Sequence, residues 1–271
     1  MANIEDIKST DPIKLLYIGD SGSGKTGSLA SLCGPYSVRV IDLDNGLPAL
    51  RNELLDPTSP YKNYKKGSLK AVTITEKASS LNAVPGGPKS ATVWNRLVQM
   101  LNHWKDGDED LGPVASWTTQ DILVIDSLTF AGYAAMNFAT LMNANNKNQD
   151  GRMNYFHAQN YLEHLIQFLY GDDIKCHVII TGHITFIGDE MTILHGYPAT
   201  IGRALSPKVG RYFNSVLMAK SEGTNRRIYT QPVSRIELKN SAPLRVKPYY
   251  DLGTGLLSFF TDVQSGLKAF E

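Results

Sequence analysis

The sequence predicts an α/β domain in which a mostly parallel central sheet carries helices on both faces. Three short segments, residues 13–18, 122–125 and 177–180, have the near-continuous apolar character of strands that are buried on both sides. Two longer segments, residues 91–104 and 156–170, place apolar side chains at helical spacing. Strands that alternate with helices are typical of parallel sheets, because the chain must cross a face of the sheet between parallel strands.

The remaining elements are predicted in chain order from local composition. A helix is predicted over residues 26–33, after a glycine-rich turn, and further strands are predicted over residues 37–42 and 68–75. The segment 216–256 is predicted to be a β-rich extension of a core that spans about residues 13–220. All 271 residues are therefore expected to form one domain.

The composition excludes several classes of protein. Hydrophobic residues make up 42% and charged residues 20% of the chain, as in folded globular proteins rather than disordered ones. Cys33 and Cys176 are too few for a disulfide framework, and their apolar neighbours predict buried free thiols. The N-terminal segment is polar and no apolar run is long enough to span a membrane, so we expect a cytoplasmic location and no membrane partner.

Charge is distributed unevenly along the chain. Residues 201–250 contain ten Lys and Arg against two acidic residues, whereas residues 1–200 contain 16 basic and 21 acidic residues. A basic segment on an acidic body favours contact with a polyanion or with an acidic neighbouring subunit. The alternative interpretation is a basic face that is only solvated.

The segment GDSGSGKT fits the pattern G-x-x-x-x-G-K-[ST] of a phosphate-binding loop, with a predicted strand before it and a predicted helix after it. Glycines allow the backbone N–H groups to turn inward around phosphates. Lys25 would reach the β- and γ-phosphates of ATP, and the Thr26 hydroxyl would bind Mg²⁺. The candidate nucleotide-binding residues are Gly19, Asp20, Ser21, Gly22, Ser23, Gly24, Lys25 and Thr26.

Acidic residues at two other strand ends are candidates for the remaining roles. Asp126 ends an apolar strand and would bind Mg²⁺ directly or through a water molecule. Ser127 follows it, so the acid that activates the attacking water must come from elsewhere. Asp44 is favoured as this base and Asp42 is the alternative, since both lie where the strand over 37–42 ends. Both acids could instead be turn or cap residues.

A polar side chain also follows the strand over residues 177–180. His183 is a candidate sensor that contacts the γ-phosphate and responds to its loss, and Gly182 is a candidate nucleotide neighbour. The predicted catalytic set is therefore Lys25, Asp44, Asp126 and His183. A lone histidine at a strand end can also be purely structural.

The order of these motifs resembles the core of RecA-like P-loop ATPases. In that family the P-loop is followed by a strand ending in a water-activating acid, a strand reading LVIDS (here residues 123–127), and a strand ending in a γ-phosphate sensor. The family usually has Glu and Gln where this chain has Asp44 and His183. The short chain is similar to the short RecA-like annealing and recombination proteins of phages, a nucleotide-binding AAA-type family.

This resemblance implies single-stranded DNA as a partner. Two loops bind DNA in the family, and the corresponding segments of this chain are residues 143–152 and 195–220. The basic residues of these segments would face phosphates, and Tyr197 would stack on a base. The implied DNA-binding residues are Lys147, Arg152, Tyr197, Arg203, Lys208 and Arg211.

The resemblance also implies self-association into a filament or ring with ATP between subunits. Lys220, Arg226 and Arg227 would then reach the nucleotide of a neighbouring subunit. A single-strand-binding protein is a further implied partner, and a phage protein would act in the host cytoplasm. The predicted function is Mg²⁺-dependent binding and hydrolysis of ATP by a protein that binds single-stranded DNA in phage-type recombination or strand annealing.

Two alternative functions remain open from the sequence. The chain could be a P-loop enzyme without DNA contact, such as a small-molecule kinase or a motor ATPase, although no Arg-rich lid segment precedes Asp126. It could also be a nucleotide-gated assembly factor that binds ATP and scarcely hydrolyses it.

Overall fold

The computed structural model describes residues 12–59, 64–75, 91–143, 151–188 and 194–265. In chain order its strands are β1 (Lys14–Gly19), β2 (Ser37–Asp42), β3 (Leu69–Thr73), β4 (Trp104–Asp106), β5 (Glu109–Gly112), β6 (Asp121–Asp126), β7 (His177–Gly182), β8 (Ile184–Ile187), β9 (His195–Pro198), β10 (Ser215–Glu222), β11 (Asn225–Tyr229) and β12 (Tyr249–Asp251). Its α-helices are α1 (Lys25–Ser28), α2 (Leu47–Leu55), α3 (Thr92–Asn102), α4 (Leu128–Asn143), α5 (Gly151–Tyr170), α6 (Ser206–Val209) and α7 (Leu252–Ser265).

Eight of these strands form one sheet in the order β12-β11-β10-β1-β7-β6-β2-β3. The six strands from β10 to β3 are parallel, and β11 and β12 extend the sheet in antiparallel orientation. The register pairs Ile18 with Gly182 and Asp42 with Asp126, so the carboxyl ends of the central strands lie at one edge. This arrangement is an α/β fold of the P-loop NTPase type with a C-terminal antiparallel extension, as the sequence predicts.

Helices cover both faces of the sheet, which confirms the predicted layering. On one face, α3, α4 and α5 pack against a core that includes Leu97 and Leu162. On the other face, α1, α2 and α7 pack against a core that includes Leu50 and Phe259. Strands β1 and β7 are buried along their whole length because they are central in the sheet and covered on both sides.

The region around residues 91–120 differs from its prediction. Helix α3 ends at Asn102, and Trp104 begins β4 instead of completing the helix. The buried Trp104 packs against Trp117, with ring centroids 5.6 Å apart. The polar segment after it contains the hairpin β4–β5, in which Gly107 has a φ of +59°. The indole ring that was expected to complete the apolar face of the helix is instead buried from β4.

Other elements also differ from the sequence prediction, and three of them are informative. The helix predicted over residues 26–33 consists of the single turn α1 followed by a 3₁₀ turn, Leu29–Leu32. Helix α4 is absent from the prediction, because its Ala-rich, largely apolar sequence has no distinct polar face. The β-rich extension gives way to helix α7 at Leu252, inside the segment predicted as β-rich.

Two expectations from composition concern the cysteines and the membrane. Cys33 and Cys176 are both buried and free, and burial raises the pKa of the two thiols to about 12 and about 11, respectively. They are therefore inert core residues at neutral pH. Among the helices of the described segments, none has the length and apolar character needed to cross a bilayer.

Candidate nucleotide-binding site

The phosphate-binding loop connects β1 to α1 through two glycines in left-handed backbone conformation. Gly22 has a φ of +74° and Gly24 a φ of +91°, so a side chain at either position would be strained. A Cβ atom on Gly24 would lie 2.4 Å from Cδ2 of Leu252, the first residue of α7. A Cβ atom on Gly19 would lie 2.5 Å from the carbonyl oxygen of Ala219 on β10. Residues of β10 and α7 therefore pack directly against the loop.

Lys25 points back into its own loop. Its Nζ donates hydrogen bonds to the carbonyl oxygens of Gly19 and Asp20, at 2.9 and 2.8 Å. The side chain is buried, and desolvation lowers the pKa of Lys25, while the charges of Asp126 and Asp44 oppose this shift. The loop thus contains a cation whose only partners in the described structure are carbonyl and hydroxyl oxygens, which a phosphate can replace.

Asp126 lies at the end of β6 and accepts two side-chain hydrogen bonds. The Thr26 hydroxyl donates to its Oδ2 at 2.7 Å, and the hydroxyl of Thr181 on β7 donates to its Oδ1. Asp126 is 1% exposed, and desolvation raises its pKa, an effect that the two hydroxyl donors counteract. The loop and the strand end predicted to share Mg²⁺ are therefore in direct contact.

Asp42 has a structural role in the turn that follows β2. Its Oδ1 accepts a hydrogen bond from the Gly46 backbone N–H at 2.9 Å, and its Oδ2 accepts from the Leu47 N–H at 3.4 Å and the Thr73 hydroxyl at 3.2 Å. The side chain is fully buried. Because its oxygens are occupied by this turn and by β3, Asp42 is poorly placed to activate water.

Asp44 lies further from β2 than Asp42 and is close to His183. Its Oδ2 is 4.0 Å from Nε2 of His183. Desolvation raises the pKa of Asp44 to about 6, and the negative charges of Asp126 and Asp42 add to the shift. A carboxylate with this pKa is ionised at neutral pH and still binds a proton more strongly than an ordinary aspartate.

His183 follows β7 and is partly exposed. Desolvation lowers the pKa of His183, and the positive charge of Lys25 lowers it further, so the imidazole is neutral at pH 7. Its backbone N–H donates to Oγ1 of Thr129 at 3.4 Å, and its carbonyl oxygen accepts from the Ala199 N–H at 2.8 Å. The preceding Gly182 is packed between Ile18 and Leu128, so it contributes to the core beside the site.

The arrangement of oxygen atoms fits a magnesium ion. Carboxylate oxygens of Asp42, Asp44 and Asp126 lie within 4.8 Å of one another. A Cβ atom on Gly46 would lie 3.1 Å from Asp44 Oδ1 and 3.2 Å from both Asp126 Oδ2 and Thr26 Oγ1. Carboxylate and hydroxyl oxygens are the ligands that Mg²⁺ prefers. The missing side chain at Gly46 leaves the space between these oxygens open.

The predicted DNA-binding residues lie at different places on the surface. Arg152 is exposed in the first turn of α5, and Arg203 is exposed in the segment between β9 and α6. Tyr197 on β9 stacks against His195, with ring centroids 6.4 Å apart. Lys208 is exposed on α6, Arg211 lies in a separate cleft together with Glu237 and Lys239, and Lys147 lies outside the described residues.

Arg203 lines a cleft of about 350 Å³ between α4, β8 and the segment 199–206. Tyr133 of α4 and Phe186 of β8 line the same cleft, and their side chains are 55% and 54% exposed. Phe130 packs edge-on against Tyr133, and Tyr155 of α5 lies beside Gly202. We call this set, Phe130, Tyr133, Tyr155, Phe186 and Arg203, the aromatic surface.

The cations predicted to act on a neighbouring subunit lie on β10 and β11. Lys220 forms an ion pair with Glu222, with Nζ and Oε1 2.7 Å apart. The Arg227 guanidinium lies over the Tyr249 ring, 4.4 Å from its centroid, and Arg226 is exposed. Since Lys220 and Arg227 already have partners in their own chain, Arg226 is the most accessible of the three.

Two residues of the site were missed by sequence reasoning. Thr181 holds Asp126, and Gly46 leaves room between the acidic side chains. The sequence does give a signal for Thr181, because its hydroxyl ends an apolar strand directly before Gly182 and His183. Gly46 lies two residues after Asp44 in a turn sequence, where a glycine is expected from turn formation alone.

The chain was compared with known protein families, curated proteins and solved structures. A family model described as an AAA domain matches residues 11–242, which is most of the chain. Among curated proteins, none matches. One similar solved structure is described as that of a prototypical ATPase from the type III secretion system of pathogenic bacteria, with 13% identity and a TM-score of 0.39. The alignment covers 78% of this chain and 52% of that chain, so the chain spans about half of its length.

Proposed function

The chain belongs to the AAA domain family of P-loop ATPases, and we propose that it hydrolyses ATP with Mg²⁺ at the site formed by the loop over residues 19–26, Asp44, Asp126 and His183. The observation that carries this proposal is the convergence of separate strand ends on one site. Thr26 contacts Asp126 at 2.7 Å, and Asp44 lies 4.0 Å from His183. Phosphoryl transfer depends mainly on such positioning and on charge.

The residues of the loop would hold the phosphates. Lys25 would exchange its bonds to the Gly19 and Asp20 carbonyl oxygens for bonds to the phosphate oxygens, which accept charge-assisted hydrogen bonds more strongly. Thr26 and Asp126 would hold Mg²⁺, which when bound supplies positive charge against the phosphate oxygens. The buried ammonium group would therefore have oxygen partners both without and with bound nucleotide.

Asp44 would accept the proton of the attacking water. Its pKa of about 6 keeps it ionised at neutral pH and close to the range in which a general base works best. His183, neutral at this pH, would offer a ring nitrogen to the water or to the γ-phosphate from the side facing Asp44. Asp42 would keep the turn that presents Asp44 in place.

Nucleotide binding and product analysis test this proposal. Purified protein should bind a fluorescent ATP analogue more tightly with Mg²⁺ than with EDTA, and ATP should be converted to ADP and inorganic phosphate. Phosphate transfer to an added acceptor in place of release would favour a kinase. Binding without turnover, unchanged by DNA, would favour a nucleotide-gated assembly factor.

We further propose that single-stranded DNA binds at the aromatic surface. Exposed aromatic rings next to an arginine can stack on bases and pair with phosphates without reading sequence. Tyr133, Phe186 and Arg203 line one cleft, so a base and its phosphate would have partners within the same site. The exposed Arg152 lies one helical turn from Tyr155 on α5 and would extend the positive surface.

The aromatic surface is connected to the nucleotide site through Thr129. Its hydroxyl accepts a hydrogen bond from the His183 N–H and donates one to the Ala199 carbonyl oxygen at 3.2 Å. Thr129 and Ala199 also line the cleft. A movement of His183 on loss of the γ-phosphate would therefore be transmitted to the wall of the cleft.

Oligonucleotide binding at low salt tests the DNA proposal. Gel-shift or fluorescence-anisotropy measurements with a non-hydrolysable ATP analogue should give tighter binding of single-stranded DNA than measurements with ADP. Affinity should fall steeply with added salt, since phosphate contacts release counterions. Absence of binding at low salt with the ATP analogue present would contradict the proposal.

Self-association is the third part of the proposal. The exposed Arg226 and the basic composition of residues 201–250 support contact with a nucleotide or an acidic surface of a second copy. Sedimentation should then detect larger particles with an ATP analogue than with ADP, and Arg226→Ala should reduce their amount. A particle size that does not depend on nucleotide would contradict this part alone.

A further inference from the structure

Asp126 is buried at the end of β6, and each of its two carboxylate oxygens accepts a hydrogen bond. Thr26 donates to Oδ2 and Thr181 donates to Oδ1. The two donors differ in kind. Thr26 belongs to the phosphate-binding loop and would itself bind the cation. Thr181 lies on β7 and is not among the residues predicted to contact nucleotide or metal.

Thr181 is built into the sheet. It is fully buried on β7, which lies between β1 and β6, and the register pairs Thr181 with Tyr17. The neighbouring residue Ile180 pairs with Ile125, one position before Asp126. The position of Thr181 is therefore fixed by two neighbouring strands. A hydroxyl at this position can hold the Asp126 carboxylate in one rotamer.

We propose that Thr181 is a positioning residue of the cation site, which holds Oδ1 of Asp126 so that Oδ2 is directed towards Thr26 and the metal. The inference rests on the proposed function, because it concerns the same ATP and Mg²⁺ site. Without the Thr181 hydroxyl, the buried Oδ1 loses its donor, and the carboxylate rotates to find another one. Partners that orient a metal ligand contribute to metal affinity although they do not touch the metal.

The inference separates two contributions to nucleotide affinity, that of the loop contacts to phosphate and that of Mg²⁺. Phosphate contacts from Lys25 and the loop N–H groups do not involve Thr181, so binding of nucleotide without metal should not depend on it. The contribution of Mg²⁺ requires an oriented Asp126 and should depend on it. A purely structural role for Thr181 would instead weaken both in the same proportion.

Titration of Mg²⁺ into protein with a fluorescent ATP analogue tests the inference. Thr181→Val keeps the size and shape of the side chain and removes the hydroxyl, and we expect it to raise the Mg²⁺ concentration for half-maximal effect by about 10-fold or more. Affinity for the analogue in EDTA should stay close to that of the wild type, because none of the loop contacts to phosphate involves Thr181. Thr181→Ser keeps the hydroxyl and should restore the Mg²⁺ requirement of the wild type.

Thr230→Val is the matched control. Thr230 is also buried, and its hydroxyl donates to the carbonyl oxygen of Lys247, away from the site. This variant should lose stability without a change in the Mg²⁺ requirement. If Thr181→Val does not fold, Thr181→Cys, whose thiol is a weak donor, takes its place and should show an intermediate requirement.

Three results would overturn the inference: an unchanged Mg²⁺ requirement in Thr181→Val or Thr181→Cys, an equal loss of affinity with and without Mg²⁺, or failure of Thr181→Ser to restore the wild-type value. A wild-type protein that binds no nucleotide would overturn the proposed function and this inference together. A wild type with Mg²⁺-dependent binding that Thr181→Val leaves unchanged would overturn only the inference.

Discussion

Oδ2 of Asp44 lies 4.0 Å from Nε2 of His183, although the two residues follow β2 and β7, which are separated by β6 in the sheet. The parallel order of these strands brings their carboxyl ends to one edge of the sheet, where Asp126 also lies. An acid with a raised pKa thus lies beside an imidazole that is neutral at pH 7.

Asp42 and Asp44 should respond differently to substitution. Asp42→Ala removes the acceptor of the Gly46 and Leu47 N–H groups and should lower the free energy of unfolding by about 2 kcal/mol or more. Asp44→Asn leaves the hydrogen bonds of Asp42 to the Gly46 and Leu47 N–H groups in place and should change it by less than about 0.5 kcal/mol. Urea unfolding of both variants measures the contrast, and equal losses of stability would contradict the assignment.

Lys25→Ala should separate ligand binding from folding. Removing the ammonium group takes away its bonds to phosphate, and we expect affinity for ATP to fall by about 10-fold to 100-fold. Stability should change little, because the variant also loses the cost of burying a charge, which lowers the pKa of Lys25. Isothermal titration and denaturant unfolding measure the two effects, and wild-type affinity in the variant would refute the loop assignment.

Phe186→Ala should weaken DNA binding without affecting nucleotide binding. Loss of one base-stacking ring costs about 1–3 kcal/mol, or roughly 5-fold to 100-fold in affinity for single-stranded DNA. Phe168→Ala is the control, because Phe168 is 41% exposed on α5 but lines a different groove, with Trp94. Fluorescence anisotropy with a labelled oligonucleotide compares them, and equal losses in both variants would contradict a specific surface.

His177 should make the fold sensitive to acid. Its Nδ1 accepts a hydrogen bond from the Ile13 N–H at 2.8 Å, and desolvation, with the charge of Lys14, lowers the pKa of His177 to about 4. The unfolded chain, with a pKa of 6.5, binds the proton first, so stability is complete above pH 6.5 and decreases as the pH falls towards 4. The loss attributable to this residue is about 3 kcal/mol.

Other groups titrate in the same range, so the effect of His177 requires a difference measurement. The raised pKa of Asp44, about 6, acts in the opposite direction, because there the folded protein binds the proton first. His177→Asn keeps an acceptor near the Ile13 N–H and cannot be protonated. On going from pH 7 to pH 5, the free energy of unfolding from urea titrations should fall less, or rise more, in this variant than in the wild type, and equal changes in the two proteins would contradict the assignment.

Contiguous features of the site could be predicted from the sequence. The eight residues of the phosphate-binding loop are consecutive, and Asp126 ends an apolar strand, so both are visible without knowledge of strand order. The choice between Asp42 and Asp44 needed the structure, because it depends on which carboxylate accepts the Gly46 N–H. From sequence position alone, the two acids differ only in distance from the strand.

Features that depend on neighbouring strands could not be predicted. The hydroxyl of Thr181 reaches Asp126 only because β7 lies beside β6, an adjacency that no local pattern specifies. The same is true of Ala219, whose carbonyl oxygen lies against Gly19 because β10 pairs with β1. Helix α4 was missed for a different reason, since buried small residues cover much of it and leave no alternation between apolar and polar faces.

Steady-state phosphate release by the wild type and by Asp44→Asn, at saturating ATP and Mg²⁺, tests the central claim most directly. If Asp44 activates the attacking water, the variant should bind ATP with wild-type affinity. Its turnover rate should fall by about 100-fold or more, the usual contribution of a general base. Turnover by Asp44→Asn at the wild-type rate would contradict the account.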